Sequence, residues 1–224
     1  MKKKLIQIYQ TLLTHFGHQN WWPAETKDEI IIGAILTQSI SWQNVETAIQ
    51  NLKRENLCSL EAIYHAKIET IAPLIRSTLY YNQKAKKLKN FTDILFAEFG
   101  GKLTKMFSLE LKELRDKLLN IAGIGEETAD SILLYVGEKP IFVVDAYTKR
   151  IFTRFGLIEN DLDYQKVQDF FMENLPSDVA LFQDFHAQIV RLGKEYCRKR
   201  NLKCGECPVN LNCIYSPSER SIPL

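Results

Sequence analysis

No segment of this 224-residue chain approaches the roughly 20 apolar residues that a membrane-spanning helix needs, so no spanning helix is expected. Charge of one sign is also lacking. Lys and Arg number 29 against 27 Asp and Glu, a net charge of +2, so a nucleic-acid partner has to be argued from local patches and not from composition. Strand-like alternation is scarce, and neither internal repeats nor low-complexity linkers break the chain. The start, Met1-Lys2-Lys3-Lys4, imitates a signal peptide, but Gln7, Gln10, Thr11 and Thr14 interrupt any apolar region. Leu5, Ile8, Leu12 and Phe16 instead share one helical face, closed by Gly17, and a cytoplasmic location is expected.

Cysteine is sparse except at one place. Only Cys58 lies apart, beside Leu57 at a loop-helix junction, where packing is its expected role. Cys197, Cys204, Cys207 and Cys213 follow a C-x6-C-x2-C-x5-C spacing. Thiolates this close in sequence can converge on one soft metal centre, and a chain of this size needs no disulfide staples. Structural zinc favours two short knuckles, whereas one tight pair flanked by longer loops suits a bulkier [4Fe-4S] cube; spacing alone leaves zinc open.

What remains is helical, and the expected fold class is all-α. Thr26-Lys27-Asp28-Glu29 forms a capping box ahead of a run, Ile30 to Leu36, that is apolar on all sides and therefore buried. Trp42, Val45, Ile49 and Leu52 mark a second helix. Others are expected from about Ser59, across Tyr80 to Phe99 with Gly100-Gly101 as the stop, and from Ser108 through Leu118. Lys84, Lys86, Lys87 and Lys89 read as solvated surface on one of them.

Ile121-Ala122-Gly123-Ile124-Gly125, followed by Glu126-Glu127-Thr128-Ala129, reads as a tight glycine turn between helices that leaves N–H groups uncovered, an arrangement able to hold a phosphate. Twenty residues later Phe142-Val143-Val144 delivers Asp145 to a helix start. Such an aspartate is by default an N-cap, yet a capping carboxylate is fixed and ionised, so it can also oppose a developing cation or orient water.

The glycine hairpin, the downstream Val-Asp and the four-cysteine terminus together resemble the endonuclease III superfamily of helix-hairpin-helix DNA glycosylases, over nearly the whole chain. The resemblance implies a [4Fe-4S] cluster held by the four cysteines. It also implies two helical domains: a six-helix domain over residues 21–137 ending in the hairpin, and a cluster domain from 1–20 with 138–224. Double-stranded DNA would lie in the cleft between them, its damaged nucleotide flipped toward Asp145, with Gly123, Gly125 and Thr128 of the hairpin on the backbone. Arg198, Lys199, Arg200 and Lys203 would form a stiffened basic finger for phosphates. Gln38 matches a residue that fills the gap left by the flipped base, and Leu79 the wedge against the opposite strand. His186 falls where relatives often have histidine, but its distance in sequence from Asp145 favours a structural role.

Departures from the pattern carry information. Lyase members present a lysine two residues after the second glycine; here that position is Glu127, which cannot form an imine. Ala122 stands where proline is common, and Tyr147 where histidine or asparagine is. The Trp21-Trp22-Pro23 entrance, Trp42 and Glu127 together look like the 3-methyladenine DNA glycosylase branch, with Trp21, Trp22, Pro23 and Trp42 forming an aromatic base pocket. An alkylated purine is already cationic, so stacking selects it and its departure needs little acid help. The expectation is a monomeric, monofunctional glycosylase of base excision repair. A glycosylase/lyase acting on oxidised pyrimidines and a non-catalytic lesion-binding protein are the alternatives.

Overall fold

The computed structural model describes residues 1–215, and the chain is helical throughout them, with twelve α-helices and no strand among the described residues. Its contacts divide it into two compact units, one of Trp22–Lys139 and one of Met1–Trp21 with the chain from Pro140 onward. Among the described residues no helix is long and apolar enough to cross a membrane.

The continuous unit holds α2 (Lys27–Leu36), α3 (Trp42–Arg54), α4 (Leu60–His65), α5 (Ile68–Leu74), α6 (Tyr81–Phe99), α7 (Leu103–Phe107), α8 (Leu111–Leu119) and α9 (Glu126–Tyr135). Helix α2 is its buried axis. Ile31, Ile32, Ile35 and Leu36 are fully buried, and α3, α6 and α9 all pack on it. Thr26 caps α2 by accepting from the Glu29 N–H at 3.1 Å, while the Glu29 carboxylate reaches back to the N–H of Glu25 at 3.0 Å, one residue earlier than a capping box requires.

Two helix starts differ from the sequence reading. Helix α8 begins at Leu111 and not at Ser108, because Ser108 closes the short α7, too brief to show a period. Helix α6 begins at Tyr81, since Tyr80 lies in the left-handed region with φ 43°. The lysines of α6 are not uniformly solvated either. Lys84 is buried with its amine on two backbone carbonyls, Lys87 donates to Gln38, and Lys89 donates to the Tyr64 carbonyl. Lys84 stands four residues before Leu88, on the apolar face, and that spacing was the available signal.

Helices α8 and α9 are joined by a hydrogen-bonded ion pair. Arg115 Nε and Nη2 donate to the two oxygens of fully buried Asp130 at 2.7 and 3.1 Å. Such a fork fixes both distance and angle between helices, and a buried carboxylate left without its cation is strongly disfavoured.

The second unit is built on α12 (Val179–Glu195), against which α1 (Lys2–Phe16) and α10 (Ala146–Arg154) pack; α11 (Tyr164–Asn174) adds Phe171 to the same core. Leu5, Ile8 and Leu12 form the buried face of α1, and Gly17 follows with φ 70°. Residues 141–144 are buried and belong to no helix or strand. Side chains supply the missing hydrogen bonds: Gln168 donates to the Phe142 carbonyl at 2.7 Å, and the Val144 N–H donates to the Tyr164 hydroxyl at 3.3 Å. Phe142 stacks on Phe171 at 4.1 Å, which anchors the segment that presents Asp145.

Replacing Arg115 by Met should lower unfolding free energy by about 3–5 kcal/mol in denaturant melts, and a further Asp130→Leu change should recover much of that loss. Unchanged stability in the single variant would contradict a structural role for the pair.

Candidate functional site

Asp145 is the N-cap of α10 and 9% exposed. Its Oδ1 accepts from the Thr148 N–H at 2.6 Å and from the Thr148 hydroxyl at 2.8 Å, while Oδ2 lies 3.7 Å from His186 Nε2 on α12. Burial pushes the carboxyl's pKa up, but His186 and the two Thr148 hydrogen bonds outweigh it, so the net shift is downward. Sequence distance had argued against His186. The packing of α10 on α12 closes that distance, a contact that a spacing of 41 residues cannot reveal.

In the other unit the hairpin is held from outside. Gly123 has φ 96°, and a Cβ there would overlap the stem of Lys87. Gly125 is extended at φ −97° and serves as the N-cap of α9, whose first turn receives no side-chain cap, so the turn is left-handed at its first glycine alone of the two. Gln38, Gly123 and Thr128 are brought together. Gln38 Nε2 donates to the Gly123 carbonyl at 3.1 Å and to the Thr128 hydroxyl at 2.9 Å, while its Oε1 accepts from Lys87; Asn90 donates to the Ala122 carbonyl at 2.9 Å. Glu127 is exposed on α9.

The aromatic set divides. Trp22 stands edge-on to Trp42 and to Tyr135, each 5.4 Å away, and a Cβ on Gly33 would come within 3.1 Å of its indole nitrogen, so the ring packs closely over the glycine of α2. Trp42 Nε1 donates to Glu46 at 2.8 Å and Pro23 is exposed. Trp21 belongs to the discontinuous unit, where Lys194 Nζ lies 5.6 Å from its ring. Leu79 is 56% exposed at φ 54°. Tyr80, which the sequence reading passed over as helix interior, is 70% exposed at φ 43°.

Cys197, Cys204, Cys207 and Cys213 line one cavity, walled also by Phe155 and Leu192. The thiols sense one another: burial pushes Cys207 up to about 11, and the charges of Cys197, Cys213 and Cys204 act in the same direction. Arg154, 6% exposed, lies against the cavity with Nη1 3.2 Å from Cys197 Sγ and 2.8 Å from the Arg198 carbonyl, and its own carbonyl lies 3.4 Å from Cys213 Sγ. Among the described residues no group of three or more His, Cys, Asp or Glu is placed to hold a metal ion. Four cysteines around one cavity are in number and type a donor set that a [4Fe-4S] cube can take, one thiolate per iron. Arg198, Lys199, Arg200 and Lys203 are all exposed on the loop between the first two cysteines. Cys58 is half-buried and its thiol is pushed up to about 11, chiefly by burial, which makes it a poor nucleophile.

Residues 32–177 match the family described as HhH-GPD superfamily base excision DNA repair protein. A Methanocaldococcus jannaschii protein named "Putative DNA repair glycosylase" is 46% identical over 213 residues, covering 94% of this chain and 96% of the relative. The chain belongs to the HhH-GPD superfamily. Like its relatives in that superfamily it is a DNA repair glycosylase by descent, and its fold agrees. The H. pylori 3-methyladenine DNA glycosylase bound to 1,N6-ethenoadenine is similar with TM-score 0.76 and 28% identity, over 85% of this chain and 97% of that one. A trapped endonuclease III–DNA covalent intermediate shares the fold with TM-score 0.82 and 18% identity, over 96% of each chain.

The HhH-GPD hairpin supplies a test of its own. Gly123→Ala should cost more than about 1 kcal/mol in a thermal melt, because the conformation is left-handed and the Lys87 stem must move. Gly125→Ala, extended with open space around it, should cost less than that. Equal effects would contradict the hairpin geometry.

Proposed function

We propose that this HhH-GPD protein is a monofunctional DNA glycosylase that hydrolyses the N-glycosidic bond of alkylated purines, such as 3-methyladenine, in duplex DNA. The observation that carries the reading is Asp145, an ionised carboxylate fixed by Thr148 and His186. A carboxylate with a depressed pKa is a weak base, so its service is electrostatic: it opposes the positive charge that grows on the sugar as the base departs. The bond between C1′ and the purine nitrogen breaks with its electron pair leaving on the base, which neutralises an alkylated, cationic purine. Water then adds to C1′ and loses a proton to solvent. No protein amine is required. Glu127 supports this, since a carboxylate occupies the position at which the resemblance places a lyase lysine.

The substrate class rests on the aromatic rings. Trp22 and Trp42 offer electron-rich surfaces for a cationic purine, and the H. pylori relative is a 3-methyladenine glycosylase seen with an ethenoadenine, a purine bearing extra carbon on its ring. Gln38, Leu79, the hairpin and the basic finger are assigned to DNA contacts, the finger through its four cations. Cys197, Cys204, Cys207 and Cys213 are assigned as ligands of a [4Fe-4S] cluster, which when bound would tie both ends of the finger covalently to one centre. Arg154 would lie beside that centre and offset part of its negative charge.

Asp145→Asn should reduce base release by about 10²- to 10³-fold while the protein stays folded, because Asn caps a helix nearly as well. Borohydride treatment with abasic-site DNA should trap no covalent adduct; a trapped adduct would contradict the hydrolytic reading. For the metal, purified protein should be brown and contain roughly four irons and four labile sulfides per chain, and each cysteine-to-serine change should lower that content. A colourless protein carrying zinc would overturn the assignment.

A further inference from the structure

Of the lysines on α6, Lys84 points inward. It is 3% exposed, and its Nζ donates to the carbonyl of Leu36 at 2.9 Å and to that of Thr78 at 2.6 Å. Each carbonyl stands at the root of a loop. Leu36 ends α2, and the chain then passes through Gln38 and through Ser39, whose φ is 58°. Thr78 ends a short 3-10 turn, and the chain then passes through Leu79 and Tyr80, both at positive φ and both exposed. Side chains larger than glycine in that region store strain, which persists only where surrounding structure enforces it. One ammonium therefore holds two strained loops that are far apart in sequence.

Holding it there is costly. Burial, with a smaller contribution from the charge of Lys87, brings the Lys84 pKa down to about 8. An apolar side chain would avoid that penalty, and buried charges are often replaceable in this way without loss of stability. An ammonium in that place thus asks for a role besides holding the fold.

We propose that Lys84 is a positioning residue for lesion recognition: its ammonium fixes the roots of both loops, so that Gln38 on one and Leu79 with Tyr80 on the other are presented to DNA already ordered. The inference rests on the reading of these loops as DNA contacts. Ordering them before DNA arrives removes an entropic cost from binding, and the benefit falls on the distorted complex at a lesion, where these side chains enter the duplex. Binding to undamaged duplex, governed by phosphate charge, is little affected.

The test uses the full-length protein and two probes, an undamaged duplex and the same duplex with a tetrahydrofuran abasic-site analogue. Lys84→Met should weaken binding to the abasic duplex by about ten-fold or more and leave undamaged-duplex affinity within about two-fold. Lys84→Gln, which keeps a donor, should fall between the two and serves if the methionine variant does not fold. Thermal melts give a second readout. The unfolded chain keeps the Lys84 proton up to its ordinary 10.5 while the folded chain releases it near 8, so the unfolded state binds more protons in that window, and the wild type should gain stability relative to either variant as pH rises through it. Unchanged abasic-duplex binding in both Lys84 variants, while Leu79→Ala and Tyr80→Ala weaken it, would overturn the proposal. If Leu79→Ala and Tyr80→Ala leave that binding intact, the assignment of the loops to DNA falls first, and the proposal with it.

Discussion

A formal charge removed from water is costly unless partners wait for it in fixed positions. This chain meets that constraint at several points, and each lies where the backbone must be held. Asp130 receives the fork of Arg115 between the two hairpin helices; Lys84 spans two carbonyls at loop roots; Arg154 lies against Cys197 and the first finger residue; Asp145 takes the N-terminus of α10 and faces His186. The apolar core makes the helices stable. These charges decide where their ends point.

That division explains how an ordinary helical scaffold can carry the proposed chemistry. The core residues of α10 and α12 bring His186 to Asp145, and Phe142 on Phe171 fixes the segment before it. The resulting carboxylate stays ionised in a buried setting, which suits stabilisation of positive charge and ill suits proton abstraction. A substrate that arrives already cationic asks for no acid, so the chemistry of Asp145 and the aromatic pair at Trp22 and Trp42 point the same way.

Features set by local sequence were legible. The helix starts at Thr26 and Ser59, the glycine after α1 and the all-round apolar α2 depend on residues within one or two turns, and they stand where spacing put them. The four clustered cysteines line one cavity, a convergence that their closeness in the chain made legible. Five residues cannot display a helical period, so the short α7 leaves no signal in the sequence and Ser108, its end, has the look of a helix start. The hydrogen-bond network of Gln38 and the pairing of His186 with Asp145 join residues about 40 or more positions apart, so only packing discloses them, whereas the burial of Lys84 had a signal in its spacing from Leu88 that the habit of lysine overrode. Tyr80 was hidden by its neighbours' helical pattern, although a left-handed residue at an N-cap is what exposes it.

The account stands or falls on the reaction that Asp145 and Glu127 imply for this HhH-GPD chain. Duplexes carrying one 3-methyladenine, one 1,N6-ethenoadenine or one oxidised pyrimidine each would be scored for free base and, separately, for strand cleavage. The account predicts release of the alkylated purines, with abasic strands left uncut until alkali is added. Release of the oxidised pyrimidine with concurrent strand cleavage would contradict it.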